Sequence, residues 1–179
     1  MAVLPLHYIG RDPALHQRTR KVKDPTTPEM RRLVEDLVQS MRYYRGVGIA
    51  ANQVGSLHRV CIIQLPEDEE PRVLFNLELT RKVGEREVIE GCLSLPGYQG
   101  QILRAEHVWA TAIDGKAKRV RIKAATDLFA QALEHEHDHL NGVIYLDLLR
   151  SNDDLWEVEE GKEEEGEGEV TASPPATAT

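Results

Sequence analysis

Residues 126–142 have the sequence TDLFAQALEHEHDHLNG. Thr126 and Asp127 are both residue types that cap the start of a helix, and Asn141-Gly142 is a pair that ends one. We therefore predict a helix over about 127–140. Its polar residues carry the strongest functional signal in the chain.

The polar end of this helix carries a metal-binding pattern. Residues four apart lie on one helix face, so His135 and His139 can direct two imidazole nitrogens at one ion. Glu136 is then near enough to reach a water at an open position of that ion, as in hydrolases with a His-Glu-x-x-His motif. Two histidines at this spacing on an ordinary polar helix face are usually solvated, and it is the glutamate that favours the catalytic interpretation.

The two residues between Glu136 and His139 are assigned differently. His137 lies about 200° around the helix from His135, so we expect it to be solvated and not to bind the same ion. Asp138 has two interpretations. It either accepts an imidazole N–H and orients that ring, or it is an ordinary surface carboxylate.

A catalytic metal held by two histidines needs a third protein ligand and an open position. Downstream of the helix the candidates are few: Asp147, Asp153 and Asp154. Upstream, Cys92 stands in residues 90–96, EGCLSLP, where a thiolate could reach a metal and backbone N–H groups could point at a substrate oxygen. The other interpretation of Cys92 is a reduced structural thiol. Cys61, inside the apolar stretch 60–63, VCII, is predicted to be such a core residue.

Residues 46–53, GVGIAANQ, form a third informative segment. Its small residues allow the backbone to approach a ligand closely, and the Gln53 carboxamide can donate a hydrogen bond to a developing oxyanion. A phosphate-binding loop is excluded, because Gly-Lys-Ser/Thr is missing and a predicted helix precedes the segment. A tight connection between a helix and a strand would explain this segment equally well.

The remaining patterns predict one more helix and several strands. Thr27 and Pro28 open a helix whose apolar residues recur every three or four positions as far as Met41, and Gly46 ends it. Five β-branched or alternating segments are predicted to be strands: 59–65, 73–80, 83–89, 108–113 and 119–123. A helix, several strands and a helix, without regular βαβ alternation, indicate an α+β fold.

Length and composition suit one soluble domain. The chain has 179 residues, of which 41% are hydrophobic, and its apolar stretches are too short to cross a membrane. Its first residues lack the basic head and apolar run of a secretory signal, so we expect a cytoplasmic protein. Two cysteines allow one disulfide at most, which is weak support for a secreted scaffold.

The charge is concentrated near the end of the chain. Residues 157–179 hold eight Glu and one Lys, which account for −7 of the net charge of −8. Such a segment repels itself and has little to bury, so we predict an acidic, disordered tail after a domain of residues 1–156. The nearly neutral domain has no long basic stripe, and direct nucleic-acid binding is not expected.

Three segments together resemble the signature motifs of the peptide deformylase family: GVGIAANQ (46–53), EGCLS (90–94) and HEHDHLNG (135–142). The resemblance extends from about Leu4 to about Leu149. It implies mixed, mainly antiparallel β-sheets around a central metal-binding helix. It also implies a metal-dependent hydrolase that removes the N-formyl group from the N-terminal formyl-methionine of nascent polypeptides and releases formate.

The same resemblance assigns roles to individual residues. Cys92, His135 and His139 would bind one divalent metal ion, Fe²⁺ in the usual native form, with Ni²⁺, Co²⁺ or Zn²⁺ as substitutes. Glu136 would act as the catalytic acid and base. The other assignments are Gln53 and the Leu93 N–H as donors to the formyl oxygen, Val47, Gly48 and Gly91 as substrate-binding residues, and Glu90 with Arg104 as a brace.

Three positions depart from the family pattern. Glu134 stands where Gln is usual, Asp127 where Gly is common, and Asn52 where Pro or Thr is frequent. The extra charge of Glu134 beside His135 either strengthens that imidazole or disturbs its hydrogen bonding. Asp127 is expected to be the helix N-cap.

Two further expectations concern the tail and the competing functions. Some family members dock on the ribosome through a basic C-terminal extension, but these eight Glu would be repelled by RNA, so a transient ribosome contact is expected elsewhere. The alternatives are a zinc peptidase of the His-Glu-x-x-His type and an inactive metal-binding descendant. The Cys92 ligand disfavours the first, and the presence of Glu136 and Gln53 disfavours the second.

Overall fold

The computed structural model describes residues 2–158, which form two α-helices and two β-sheets. In chain order the elements are α1 (Pro28–Tyr43), β1 (Gly48–Ala50), β2 (Val60–Ile63), β3 (Arg72–Val83), β4 (Arg86–Cys92), β5 (Leu95–Arg104), β6 (His107–Ile113), β7 (Arg119–Ala125), α2 (Asp127–Leu140) and β8 (Leu155–Glu157). Short 3-10 turns cover Pro13–His16, Ala51–Val54, Tyr145–Leu148 and Asn152–Asp154.

Both sheets are antiparallel. The larger sheet has the strand order β1-β2-β3-β6-β7, and the smaller has the order β4-β5-β8. The prediction of an α+β fold with mainly antiparallel sheets around a central helix is confirmed. Within residues 2–158 no helix is long and apolar enough to span a membrane.

The two helices cover opposite faces of the larger sheet, and β2 shows how. Cys61 and Ile63 of β2 belong to the apolar cluster that includes Leu133 of α2, whereas Val60 and Ile62 belong to the cluster of α1. Because side chains alternate between the faces of a strand, a strand covered on both sides must be apolar throughout. This is why residues 60–63 are continuously hydrophobic, and it confirms that Cys61 is a core residue.

Helix α1 begins as predicted and ends slightly earlier. The Thr27 hydroxyl accepts a hydrogen bond from the Met30 N–H at 3.3 Å, and Pro28 occupies the first turn. Tyr43 is the last helical residue, and Tyr44 is the C-cap. The apolar stripe of the helix packs on β1 and β2.

The start of α2 corrects one prediction. Thr126 is the N-cap, without a capping hydrogen bond from its side chain, and Asp127 is the first helical residue. Asp127 has φ +50°, in the left-handed region that favours glycine. Asp127 is therefore not the cap, and this backbone conformation explains why glycine is common at the position in the family.

Two regions predicted as loops contain strands. The stretch after Cys92 turns at once into β5, despite its Pro and Gly residues, and β5 pairs with β4 along almost its whole length. The glycine-rich segment 46–53 contains β1 followed by a 3-10 turn. Glu157, the first residue of the predicted tail (157–179), is the last residue of β8, so the disorder predicted there is wrong for that residue. Residues 159–179 lie outside the described range, and their predicted disorder stays a prediction.

Candidate active site

Three ligand atoms from two elements converge at the inner end of α2. Cys92 is the last residue of β4, and His135 and His139 lie one turn apart on α2. The Nε2 atoms of the two histidines are 3.1 Å apart, and the Cys92 Sγ lies 3.2 Å from the His139 Nε2. All three ligand atoms lie within 4.8 Å of one another.

These separations fit one metal ion at their centre. Tetrahedral bonds of ordinary length place two nitrogens about 3.3 Å apart and a nitrogen and a sulfur about 3.6 Å apart. His135 Nδ1 lies 2.5 Å from the Glu90 Oε1, so Nδ1 donates to that carboxylate and leaves the Nε2 lone pair for an ion. Donors of one thiolate and two imidazoles suit Zn²⁺, Fe²⁺, Co²⁺ or Ni²⁺.

A buried ionic network holds the histidine-bearing helix against β4 and β5. Arg104 donates to both Glu90 oxygens, at 3.0 and 2.7 Å, and to the Asp138 Oδ2 at 2.5 Å. Burial alone would raise the pKa of Glu90, but the charges and hydrogen bonds of His135 and Arg104 outweigh it and lower that pKa to about 2. Glu90 therefore stays ionised and orients His135. Asp138 binds Arg104 and so fits neither of its two predicted roles.

The neighbouring polar residues of α2 point elsewhere. His137 lies outside the ligand cluster, as predicted, but it is half-buried beside Asn141 and Glu78 and is not simply solvated. Glu134 accepts a hydrogen bond from the Ala105 N–H at 2.7 Å and pairs with Lys82 at 3.1 Å. The extra charge of Glu134 is thus matched by Lys82.

Glu136 is almost fully buried beside Gly48. A Cβ atom on Gly48 would lie 2.3 Å from the Glu136 Oε1, so only glycine leaves room for this carboxylate. Burial raises the pKa of Glu136 to about 7. Within residues 2–158 its Oε2 has no hydrogen-bond partner. A carboxyl group that changes protonation near neutral pH suits general acid–base chemistry.

Gln53 approaches Cys92 from the 3-10 turn after β1. Its Nε2 lies 3.5 Å from the Cys92 Sγ and 3.1 Å from the Ser94 Oγ, while its Oε1 accepts from the Ala50 N–H at 2.9 Å. The contact with the Ala50 N–H fixes the side chain so that its NH₂ group points towards Cys92 and Ser94. Asn52, buried beside it, donates to the His139 carbonyl at 2.6 Å and ties this turn to α2.

The N-terminal segment connects these loops. The Leu4 N–H donates to the Ser40 Oγ at 2.8 Å, the His7 N–H to the Gln53 carbonyl at 2.7 Å, and the Ile9 N–H to the Ser94 carbonyl at 3.0 Å. A segment that belongs to neither sheet therefore joins α1 to the two turns beside Cys92.

All of these groups lie in or under one open cleft of about 600 Å³. The other residues assigned to the substrate line it too: Val47, Gly48, Gly91 and Leu93. The structure thus brings every predicted site residue to one place, with Arg104 behind the cleft wall. Motif analysis assigned no site role to Asn52 or Arg45 and left two interpretations of Asp138 open, because the contacts of these residues lie far along the chain.

Comparison with known proteins agrees with this architecture. The profile of the family described as "Polypeptide deformylase" matches residues 5–154. A peptide deformylase of Dehalococcoides mccartyi strain CBDB1 is 42% identical over 147 residues, covering 82% of this chain and 87% of that protein. One from Thermomicrobium roseum is 36% identical over 163 residues, covering 87% and 92%.

Solved structures give the same result. A peptide deformylase from Synechococcus elongatus in complex with actinonin superposes with a TM-score of 0.79 at 34% identity, covering 84% of this chain and 81% of that one. One from Legionella pneumophila gives 0.79 at 34%, covering 83% and 86%. Profile, relatives and solved structures agree, and the chain belongs to the polypeptide deformylase family.

Proposed function

We propose that this protein removes the N-formyl group from formyl-methionine at the start of nascent polypeptides and releases formate. The observation that carries the proposal is the convergence of Cys92, His135 and His139 beside a buried Glu136 at the end of an open cleft. A site that only held a structural ion would need neither the buried carboxyl group nor the cleft.

A divalent ion held by these three residues would supply the Lewis acidity that makes hydroxide available near neutral pH. Glu136 takes a proton from the attacking water and later gives it to the leaving amine. A well-placed acid–base group contributes roughly 10²- to 10⁴-fold in rate. The products are formate and the free amino group of the methionine.

The chain's own donors stabilise the charge that forms on the formyl oxygen. The Gln53 Nε2 lies beside Cys92 in the cleft, and Leu93, the next residue after Cys92, also lines the cleft wall. We assign the Gln53 amide and the Leu93 N–H to this oxygen, each worth about 3 to 4 kcal/mol by analogy with other oxyanion holes. Val47, Gly48 and Gly91 offer the backbone that aligns the peptide.

The proposal also covers the identity of the native metal ion, the cellular compartment and the contact with the ribosome. We assign Fe²⁺, the ion that the family resemblance implies. Ni²⁺, Co²⁺ or Zn²⁺ can substitute, because a thiolate and two imidazoles accept several first-row ions. We place the enzyme in the cytoplasm, with a transient ribosome contact through a surface other than residues 157–179. Metal analysis after anaerobic purification tests the ion, and iron in less than a tenth of the active sites of a fully active sample would overturn it.

The decisive experiment measures formate release from formyl-Met-Ala-Ser beside the unformylated peptide. Glu136→Gln should retain the metal and lose roughly 10²- to 10⁴-fold in kcat. Glu134→Gln is the matched control, since Glu134 is an equally buried glutamate of the same helix bound to Ala105 and Lys82, and its activity should stay within about threefold. Cleavage of the unformylated peptide would indicate a peptidase instead, and a metal-loaded chain that releases no formate would indicate an inactive descendant.

A further inference from the structure

Arg45 has an unusual backbone conformation at the end of α1. Its φ is +56°, in the left-handed region that favours glycine. The Arg45 N–H donates to the Arg42 carbonyl at 3.1 Å, and the Gly46 N–H donates to the Met41 carbonyl at 2.9 Å. This is the paired hydrogen bonding of a Schellman motif, in which the left-handed position is usually glycine. An arginine at this position is strained, because its backbone is in the region that favours glycine.

Arg45 lies on the rim of the active-site cleft. The acidic residues that line the cleft, Glu90 and Glu136, are buried at 4% and 2% exposure and are committed to the metal centre. Arg45 is exposed and also lines the cleft, and its guanidinium makes no ion pair or hydrogen bond within residues 2–158. A cation without a partner is thus presented where a peptide enters.

Stabilisation of the helix end does not explain this placement. A cation in the last turn does interact favourably with the helix dipole. Arg42 already occupies that turn, and its guanidinium donates to Gln64, away from the cleft. The dipole effect requires neither a left-handed backbone nor a position on the cleft rim.

The position of Arg45 along the cleft indicates which substrate residues it meets. Gly48 lies against Glu136, and Arg45 is three residues before it. An extended chain advances about 3.4 Å per residue, so the Cα atom of Arg45 lies at most about 10 Å from that of Gly48. A peptide extended beside this segment advances at the same pitch. Its second or third residue is therefore the one within reach of the guanidinium.

We propose that Arg45 is a specificity-determining residue that favours formyl-Met peptides with Asp or Glu, and disfavours those with Lys, at the second or third position. The inference rests on the proposed deformylase function. Attraction of a carboxylate and repulsion of an ammonium at one exposed site add up to about a fivefold difference in kcat/KM between otherwise identical peptides.

The test compares C-terminally amidated formyl-Met-Ala-Glu with formyl-Met-Ala-Lys, and formyl-Met-Glu-Ser with formyl-Met-Lys-Ser. For at least one pair, the protein should favour the Glu peptide about fivefold at low ionic strength, and 0.5 M NaCl should reduce that ratio towards one. Arg45→Lys should keep the preference, Arg45→Gly should abolish it, and Arg45→Glu should reverse it. Gly suits the left-handed position, so the Gly variant should also fold with a raised melting temperature.

Arg42→Gln is the matched control. It removes a cation from the same helix end without touching the cleft, and the Glu/Lys ratio should not change. Equal rates for both peptides of each pair, or an equal loss of preference in Arg42→Gln and Arg45→Gly, would overturn the role of Arg45 while leaving the deformylase function intact. Release of formate from none of the peptides would overturn the function as well.

Discussion

The two cysteines of this chain are placed in opposite surroundings. Cys61 is fully buried in β2, and its Sγ has only the Leu74 carbonyl at 3.8 Å as a polar neighbour among the contacts of the described residues. Cys92 ends β4, half-buried on the cleft wall, with the His139 Nε2, the Gln53 Nε2 and the Ser94 N–H within 3.5 Å of its sulfur. Burial raises the pKa of Cys61 far above its usual value, so that thiol stays protonated. The polar groups that surround a thiol, more than its burial, decide whether it serves packing or chemistry.

The largest difference in metal content and activity should appear when each cysteine is replaced by alanine in a separate variant. Cys92→Ala removes one of three metal ligands, so metal content should fall and formate release should drop more than about 1,000-fold, beyond the 10- to 100-fold effect of changes around the ligands. Metal analysis and a formate assay on one sample measure both. Cys61→Ala is the control and should keep its metal, and equal metal loss in the two variants would abolish the distinction.

The second effect concerns the buried charges behind Cys92. Arg104→Met leaves Glu90 buried without its cation and should lower the free energy of unfolding by about 3 to 5 kcal/mol. Arg150→Met breaks an exposed pair with Glu87 and should leave the free energy of unfolding almost unchanged. Urea denaturation of the unmodified protein and of the two variants measures the free energies of unfolding to be compared. Similar losses in the two variants would mean that the Glu90–Arg104 pair does not brace the site.

Removal of the metal should sharpen the difference in reactivity between the thiols. After treatment with a chelator, Cys92 should react with a thiol-specific reagent at least about tenfold faster than Cys61, because one lines the cleft and the other is protonated in the core. Peptide mapping by mass spectrometry identifies the labelled residue. Addition of Zn²⁺ or Ni²⁺ should again protect Cys92 from the reagent. If the metal does not change the labelling of Cys92, this residue is not a metal ligand.

The smallest effect is expected in the core. Cys61→Ala should lower the free energy of unfolding by about 1 kcal/mol, because it removes one buried sulfur from a packed strand. Thermal or urea denaturation measures the loss. A destabilisation of several kcal/mol would show that this thiol has a role that its apolar surroundings do not reveal.

Local patterns predicted much of the fold and of the site. Helix α1, helix α2 and strand β2 each carry their own signal, as a capped apolar stripe or a continuous apolar run. The helical spacing predicts His135 and His139 as ligands of one ion, and the family resemblance of the three motifs implies Cys92 as the third ligand.

Groups that depend on distant partners were not predicted. β5 contains Pro96 and Gly97 near its start, residues that favour a turn, and it is a strand because β4 lies beside it. The sequence leaves Asp138 undecided because its partner Arg104 is 34 residues away, and Glu134 because its matching cation is Lys82. The residue type of Asp127 predicts a helix cap, whereas the backbone at this position is left-handed. Tertiary contacts decide the roles of such residues, and these contacts cannot be read from the neighbouring residues of a single sequence.

The segment from Leu4 to Ile9 has a practical consequence. Trimming by an aminopeptidase would remove it and spare Cys92, His135 and His139, yet it would also remove the backbone hydrogen bonds that it makes to Gln53 and Ser94 beside the metal ligands. Clipped molecules would still bind the ion while turning over poorly. In a partly degraded preparation, elemental analysis would therefore overestimate the fraction of working enzyme, and titration with a tight active-site inhibitor would give the true count.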